Sequence, residues 1–198
     1  AGQTWSKTLF VNNRTGAIDL VIDKKSPDIL YASMWEKDRK AWNFDGSGFG
    51  SGIYKSMDGG NTWNEISGGK SGFPDTRGTG RIGLAISNSN SNILYAGGET
   101  GGVFKSINKG ISWEAVGDDY NVTGHVETIK IDPNNHNVVY FSNGDGFMYK
   151  TIDGGNTWNE IFYGWDFQIT SIEISPDNSD VIWIAGNKGF YKSIDGGN

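Results

Sequence analysis

The chain has 198 residues, enough for one large domain or two small ones with a sizeable core, and a net charge of −6. Its 30 Gly, 8 Trp, 8 Tyr and 10 Phe point to many short strands joined by tight turns. The absence of Cys excludes disulfide and thiolate-metal frameworks, two histidines (His125 and His136) are too few for a histidine zinc site, and scattered Lys and Arg without a basic stripe argue against nucleic acid. No apolar run approaches the ~18 residues of a membrane span, and no basic-then-apolar leader precedes AGQTWSK. The expectation is a soluble chain, mature or excised, with no metal, no cofactor and no membrane insertion.

In chain order, TWSKTLFV (4–11) reads as a strand without a sheet of its own. TGAIDLVID (15–23) alternates apolar and polar residues, and after a polar turn comes DILYAS (28–33). A long insertion, MWEKDRKAWNFDGSGFGSG (34–52), precedes GIYKS (52–56), which runs into the octapeptide SMDGGNTW (56–63) and the short segment TWNEI (62–66). The order then returns: TGRIGLAIS (79–87), NILYAG (92–97), GVFKS (102–106) and SWEAV (112–116), with SINKGISW as the octapeptide. It returns again as GHVETIKID (124–132), NVVYFS (137–142), FMYKT (147–151) and TWNEI (157–161), with TIDGGNTW. The last copy is QITSIEIS (168–175), DVIWIA (180–185) and GFYKS (189–193), ending in SIDGGN.

The octapeptides start at Ser56, Ser106, Thr151 and Ser193, spacings of 50, 45 and 42. A period of this length with four strand-like segments per repeat is the signature of propeller blades. The expected fold class is therefore all-β: a β-propeller of four-stranded antiparallel blades, each with the octapeptide as the hairpin between its third and fourth strands. About four blades are present, with boundaries near 1–61, 62–111, 112–156 and 157–198.

The pattern S/T-x-D-x-G-x-T-W resembles the Asp-box, or bacterial neuraminidase repeat, of sialidase, xyloglucanase-type, sortilin-type and photosystem II assembly propellers. Residues 15–91 further resemble bacterial sortilin-like propeller proteins. The resemblance implies six or more blades in all, so further blades or the remainder of a longer chain are expected partners. It also implies a ligand face at the end of the blades away from the boxes.

Within the boxes, Asp58, Asp153 and Asp195 could be catalytic or metal-binding carboxylates, or acceptors for the N–H groups of a tight turn. Asn108 takes the same place in the second copy and keeps an acceptor without the charge. Carboxylate chemistry would not survive that change and a turn would, so the boxes read as structural. Trp63, Trp113 and Trp158 are then expected to pack between blades.

Strand alternation puts the 1–2 turns at the box end and the 2–3 loops and 4–1 connections at the other end, where function is expected. The first 2–3 loop is the longest, and the 4–1 connection SGGKSGFPDTRGTG (67–80) is also long. Trp5 and the three box tryptophans are accounted for, and Trp183 takes a strand-two position. Trp35, Trp42 and Trp165 remain, all in loops expected on the functional face, where they either stack on a ligand or pack their own loops. With Arg39, Asp45, Arg77, Arg81 and His125 they form the expected ligand-binding set. Of the four arginines, Arg14, Arg39, Arg77 and Arg81, three fall in or beside these segments, available for a ligand carboxylate or for salt bridges between loops. Gln168 sits at a position comparable to Arg81 and His125.

Two functions compete. A binding or scaffold module for a glycan or polypeptide ligand, secreted, cell-surface or periplasmic, needs only a rigid blade array with decorated loops. A glycoside hydrolase needs more. The sialidase resemblance implies an Arg triad and an Arg-Ile-Pro motif, and GRIGLAIS lacks the Pro; a xyloglucanase-like enzyme needs two carboxylates facing across a cleft, ~6.5–9.5 Å apart for inversion. Asp38, Asp75 and Asp166 are the candidate acids, with Asp118 and Asp119 also on the expected face. FDGSGFGSG (44–52) lacks the carboxylate density of a calcium loop and reads as a turn. On this footing binding is favoured over catalysis.

Overall fold

In the computed structural model, the described residues are 2–74, 79–99, 102–116 and 125–198. They are all-β, with no helix. The first blade is β1 (Thr15–Ile22), β2 (Leu30–Glu36), β5 (Gly52–Ser56) and β6 (Asn64–Glu65). The second is β7 (Ile82–Ile86), β8 (Leu94–Gly98), β9 (Gly102–Ser106) and β10 (Glu114–Ala115). The third is β11 (Val126–Ile131), β12 (Val139–Asn143), β13 (Phe147–Thr151) and β14 (Asn159–Tyr163). The fourth is β15 (Ile169–Ile174), β16 (Ile182–Gly186) and β17 (Gly189–Ser193). Every pairing is antiparallel and every blade runs in chain order. The four sheets are blades of a β-propeller.

The innermost strands β1, β7, β11 and β15 line a common axial groove of about 340 Å³. Apolar clusters fill each joint between successive blades, because the alternating strands bury one face on either side. Tyr31, Ile53, Ile82, Leu84, Leu94, Phe104 and Trp113 fill the first joint. Tyr95, Val103, Val126, Ile129, Phe141 and Tyr149 fill the second, and Tyr140, Met148, Ile169, Ile172 and Ile182 the third. Small strand-two residues let the blades approach closely: Ser33 Oγ donates to Ile82 O at 2.7 Å and Ser142 Oγ to Ile169 O at 2.9 Å. At the equivalent Gly97 a Cβ would come within 2.3 Å of Val126 Cγ1.

The octapeptides are the hairpins β5–β6, β9–β10 and β13–β14, and their polar atoms are consumed by the turn. Asp58 Oδ1 accepts from Ser56 Oγ and Thr62 N, both at 2.8 Å, and its Oδ2 from Thr62 Oγ1 at 2.6 Å. Asp153 repeats the pattern with Thr151 and Thr157. Asn108 Oδ1 accepts from Ser106 Oγ and Ser112 N at 2.9 Å, while its Nδ2 donates to Ser112 Oγ at 2.8 Å. The amide thus rebuilds the carboxylate's turn. The residue after each Asp or Asn donates its N–H to the 1–2 turn of the same blade: Gly59 to Asp28 O, Lys109 to Asn92 O, Gly154 to Asn137 O and Gly196 to Asp180 O, at 2.8–3.0 Å. Boxes and 1–2 turns therefore share one end of the molecule.

The same residue's carbonyl receives the preceding blade. Lys55 Nζ and Tyr31 Oη donate to Lys109 O at 3.1 and 3.4 Å. Lys105 Nζ and Tyr95 Oη donate to Gly154 O, each at 2.8 Å, and Lys150 Nζ and Tyr140 Oη to Gly196 O at 2.9 and 3.3 Å. The Lys and Tyr of each pair face each other across strands two and three. The boxes of the second, third and fourth blades are thus fasteners to the blade before them.

Two expectations change. The long insertion is not a bare loop: it folds into a hairpin of β3 (Asp38–Lys40) and β4 (Asn43–Asp45). Residues 4–11 form no strand, because a strand needs a ladder partner and none lies beside them among the described residues. They instead lie against the first box, with Trp63 Nε1 3.4 Å from Thr8 Oγ1.

Candidate functional site

Arg81, His125 and Gln168 each sit one residue before the innermost strand of blades two, three and four, at the end away from the boxes. All three converge on one carboxylate, Glu127, whose side chain is 4% exposed. Arg81 Nη1 donates to Glu127 Oε2 at 3.2 Å and Gln168 Nε2 to Oε1 at 2.6 Å; His125 Nε2 lies 3.2 Å from Oε1. A bulge explains why the carboxylate points there: the β11–β12 register shifts between Val126 and Thr128, leaving Glu127 as the extra residue. Glu99 closes the other side, accepting from Arg81 N at 3.2 Å with Oε1 3.7 Å from His125 Nδ1. The result is a carboxylate floor ringed by donors whose outer edges face solvent.

Beside this ring, the turn from Gly164 to Phe167 carries Trp165, 83% exposed, and Asp166 at φ 58°. Asp166 pairs with Lys188, and Asn187 ties the turn to Gln168 through its Oδ1, which accepts from Gln168 N at 3.0 Å. Trp165 therefore stands three residues from the ring on a pinned turn.

A second group sits on the β3–β4 arm of blade one. Trp35 is half-buried in the arm's own packing: its Nε1 donates to Gly46 O at 2.6 Å, Lys37 Nζ lies 4.5 Å over its ring and Phe44 meets it edge-on at 6.2 Å. Arg39 stacks over Phe44 at 5.6 Å, Asp38 pairs with Lys40 at 3.3 Å, and Asp45 Oδ1 accepts from Ser47 N at 3.4 Å. Trp42 is at the tip of the arm and 84% exposed. At the arm's base, Glu36 is buried and accepts from Gly50 N at 2.7 Å, from Asn12 at 3.2 Å and from Arg14. Gly50 N–H foremost, with Asn12 and Arg14, holds the Glu36 carboxyl below the usual range.

Of the expected ligand set, Arg81 and His125 come together with Gln168, and Trp165 with Asp166 stands beside them. Trp35, Arg39, Trp42, Asp45 and Asp38 form the separate arm. Asp75, Arg77, Asp118 and Asp119 lie outside the described residues. Glu127 and Glu99 are the residues sequence reading missed. Glu127 stands in an ordinary alternating strand (GHVETIKID), and only the bulge turns it into the centre of the ring.

No protein-family model and no curated protein matches the chain. Solved structures do. A GH74 enzyme from Niastella koreensis is 25% identical at a TM-score of 0.67, covering 89% of this chain and 28% of its own. The chain resembles xyloglucanase-like propellers. The GH74 xyloglucanase from Xanthomonas campestris is 19% identical (TM-score 0.64, 90% of this chain, 28% of its own), and YCF48 bound to D1 peptide is 16% identical (TM-score 0.56, 94% and 60%). The chain thus spans little more than a quarter of the two enzymes, which are larger propeller proteins, and the likenesses below 25% identity are likenesses of fold.

Proposed function

We propose that this chain is a binding segment of a larger propeller, secreted, cell-surface or periplasmic, that holds an extended glycan on the face opposite the boxes. The observation that carries this reading is the exposure of Trp42 and Trp165. Both stand on that face, and Trp165 flanks the donors of Arg81, His125 and Gln168. An indole offers a flat apolar surface to a sugar ring, and the donor ring offers partners for its hydroxyls. Affinity gel electrophoresis with xyloglucan, mixed-linkage glucan and mannan tests it. We expect retardation by at least one polymer and a roughly tenfold loss of affinity in Trp165→Ala. Unaltered mobility in all three gels would sink the reading, and retention of a polypeptide instead would reassign the ligand.

A second reading, glycoside hydrolysis, is favoured by the 25% identity to the Niastella koreensis GH74 enzyme. Asp38 and Asp166 are its candidate acids, with Glu127 as a third carboxylate on the same face. Release of reducing ends from xyloglucan by the chain, abolished in Asp166→Ala or Asp38→Ala, would replace binding with catalysis.

A further inference from the structure

One position repeats at the end of every blade away from the boxes. The residue that follows the second strand donates its N–H to the carbonyl of the residue that precedes the innermost strand: Lys37 to Arg14, Glu99 to Arg81, Gly144 to His125 and Asn187 to Gln168, at 2.9–3.3 Å. In blades two and four the side chain at this position also bonds back. Glu99 Oε2 accepts from Arg81 N at 3.2 Å, and Asn187 Oδ1 accepts from Gln168 N at 3.0 Å. That bond asks only for an oxygen acceptor, and the neutral amide of Asn187 supplies one. In blade three, Gly144 has no side chain there at all. The charge of Glu99 is therefore not what the turn needs.

What that charge does meet is the ring. Glu99 Oε1 stands 3.7 Å from His125 Nδ1, while Glu127 lies 3.2 Å from both His125 Nε2 and Arg81 Nη1. Two carboxylates thus face one permanent cation, with a histidine between them. Of the other charges on this face, Lys188 is paired with Asp166 and Arg14 with Glu36, and Asp145, on the exposed turn past Gly144, adds a further negative charge. A guanidinium carries five N–H donors. The side chain of Arg81 is 42% exposed and Glu127 takes one of its edges, so donors remain for a ligand. A ligand carboxylate seeking the usual two-bond clamp on Arg81 would enter the field of Glu99 and Glu127. A hydroxyl meets no such conflict, since it can accept from Arg81 and donate to Glu99.

Resting on the glycan reading above, we infer that the ring selects its ligand by charge. Glu99 is a specificity-determining residue that turns away acidic sugars, uronic or sialic, and leaves the donors of Arg81, His125 and Gln168 to the hydroxyls of neutral ones. Trp165 offers its flat apolar face to a neutral and an acidic sugar alike. The discrimination therefore lies with the ring and not with the indole. All of these groups belong to blades two, three and four, so the selection is local to this part of the propeller face.

A matched pair of ligands tests this on the whole chain. Oligosaccharides of mixed-linkage glucan and of mannan are compared with the same sugars oxidised at C6 from hydroxymethyl to carboxylate, by titration calorimetry at one ionic strength. The parent should prefer the neutral form by roughly tenfold or more. Glu99→Gln, which keeps an acceptor for Arg81 N, should narrow that ratio to about threefold or less. Equal or tighter binding of the oxidised form by the parent overturns the inference, as does an unchanged ratio in the variant. Glucuronate titrated against the Arg81 side-chain N–H signals in nuclear magnetic resonance needs no oligosaccharide: the expected result is no saturable shift in the parent and a saturable one in Glu99→Gln. If neither neutral oligosaccharide binds, the glycan reading fails and the glucuronate titration alone decides the charge selection. Saturation in the parent, or in neither protein, overturns it.

Discussion

Lys105 Nζ and Tyr95 Oη, from one blade, both donate to the carbonyl of Gly154 in the next, each at 2.8 Å. Tyr95 is fully buried, and burial together with the nearby Asp153 and Glu114 raises its phenol well above the usual range, so it stays a donor at all ordinary pH. Tyr95→Phe should cost about 1 kcal/mol and Lys105→Met about 2 kcal/mol, the charged donor being the stronger. Because both share one acceptor, the double variant should cost less or more than the sum, and urea unfolding of the full cycle measures that coupling.

The boxes predict the acid limit of stability. The Thr62 hydroxyl and N–H, with Ser56, hold Asp58 at about 2, and Thr157 with Thr151 does the same for Asp153. An unfolded Asp titrates near ~3.9, so these folded-state values are depressed, and their contribution is full above about pH 4 and lost as pH falls towards about 2. Asp153→Asn should melt close to the parent at neutral pH, since Asn108 already serves the second box. Its thermal midpoint should decline less on acidification, and a parallel decline would refute the assignment.

Close approach of blades two and three depends on the missing side chain at Gly97. Gly97→Ala should destabilise by about 1–3 kcal/mol by overpacking against Val126. Gly83→Ala is the control: its nearest neighbour would be Ile129 Cγ2 at 3.9 Å, ordinary contact, and it should fold and melt like the parent.

Glu127→Ala strips the shared acceptor from Arg81, His125 and Gln168. With Arg81 and His125 each more than a third exposed, the cost should be only about 1–2 kcal/mol. Glu127→Gln should cost less. Chemical denaturation read against glycan affinity separates the two roles of this residue, because a purely structural carboxylate would change the first and not the second.

Trp42→Ala and Trp165→Ala should leave stability within about ±0.5 kcal/mol, as expected for side chains standing clear of the core. A larger loss in calorimetry would mean that these rings pack the fold.

The blade pattern was legible in the sequence because period and alternation are both local: β2 and β5 through β16 and β17 fall where DILYAS, GIYKS and their copies predict. Asn108 identified the boxes as turns for the right physical reason, an acceptor kept while a charge is lost. The Lys and Tyr of strands three and two were in view in the first three repeats, with Trp183 taking the Tyr position in the fourth, yet their partner is a backbone carbonyl in another blade, which has no letter in the sequence. Glu127 was hidden for a related reason. A single unpaired residue at a bulge redirects a side chain, and HVETIKI looks the same with or without it. The arm of β3 and β4 escaped because DRKAWNFD carries no Gly or Asn-Gly turn at its tip.

The joint at Gly154 has an asymmetry with a longer reach. On one side it requires particular side chains, an amine and a phenol; on the other it requires only a carbonyl held by a turn. The first joint is received by Lys109 instead of a glycine, at φ 61°, and the bonds from Lys55 and Tyr31 are still made. A coupling that is strict in its donors and indifferent to its acceptor's identity lets a blade be duplicated and then diverge at its receiving edge without uncoupling from its neighbour. The repeat carries its own means of being copied.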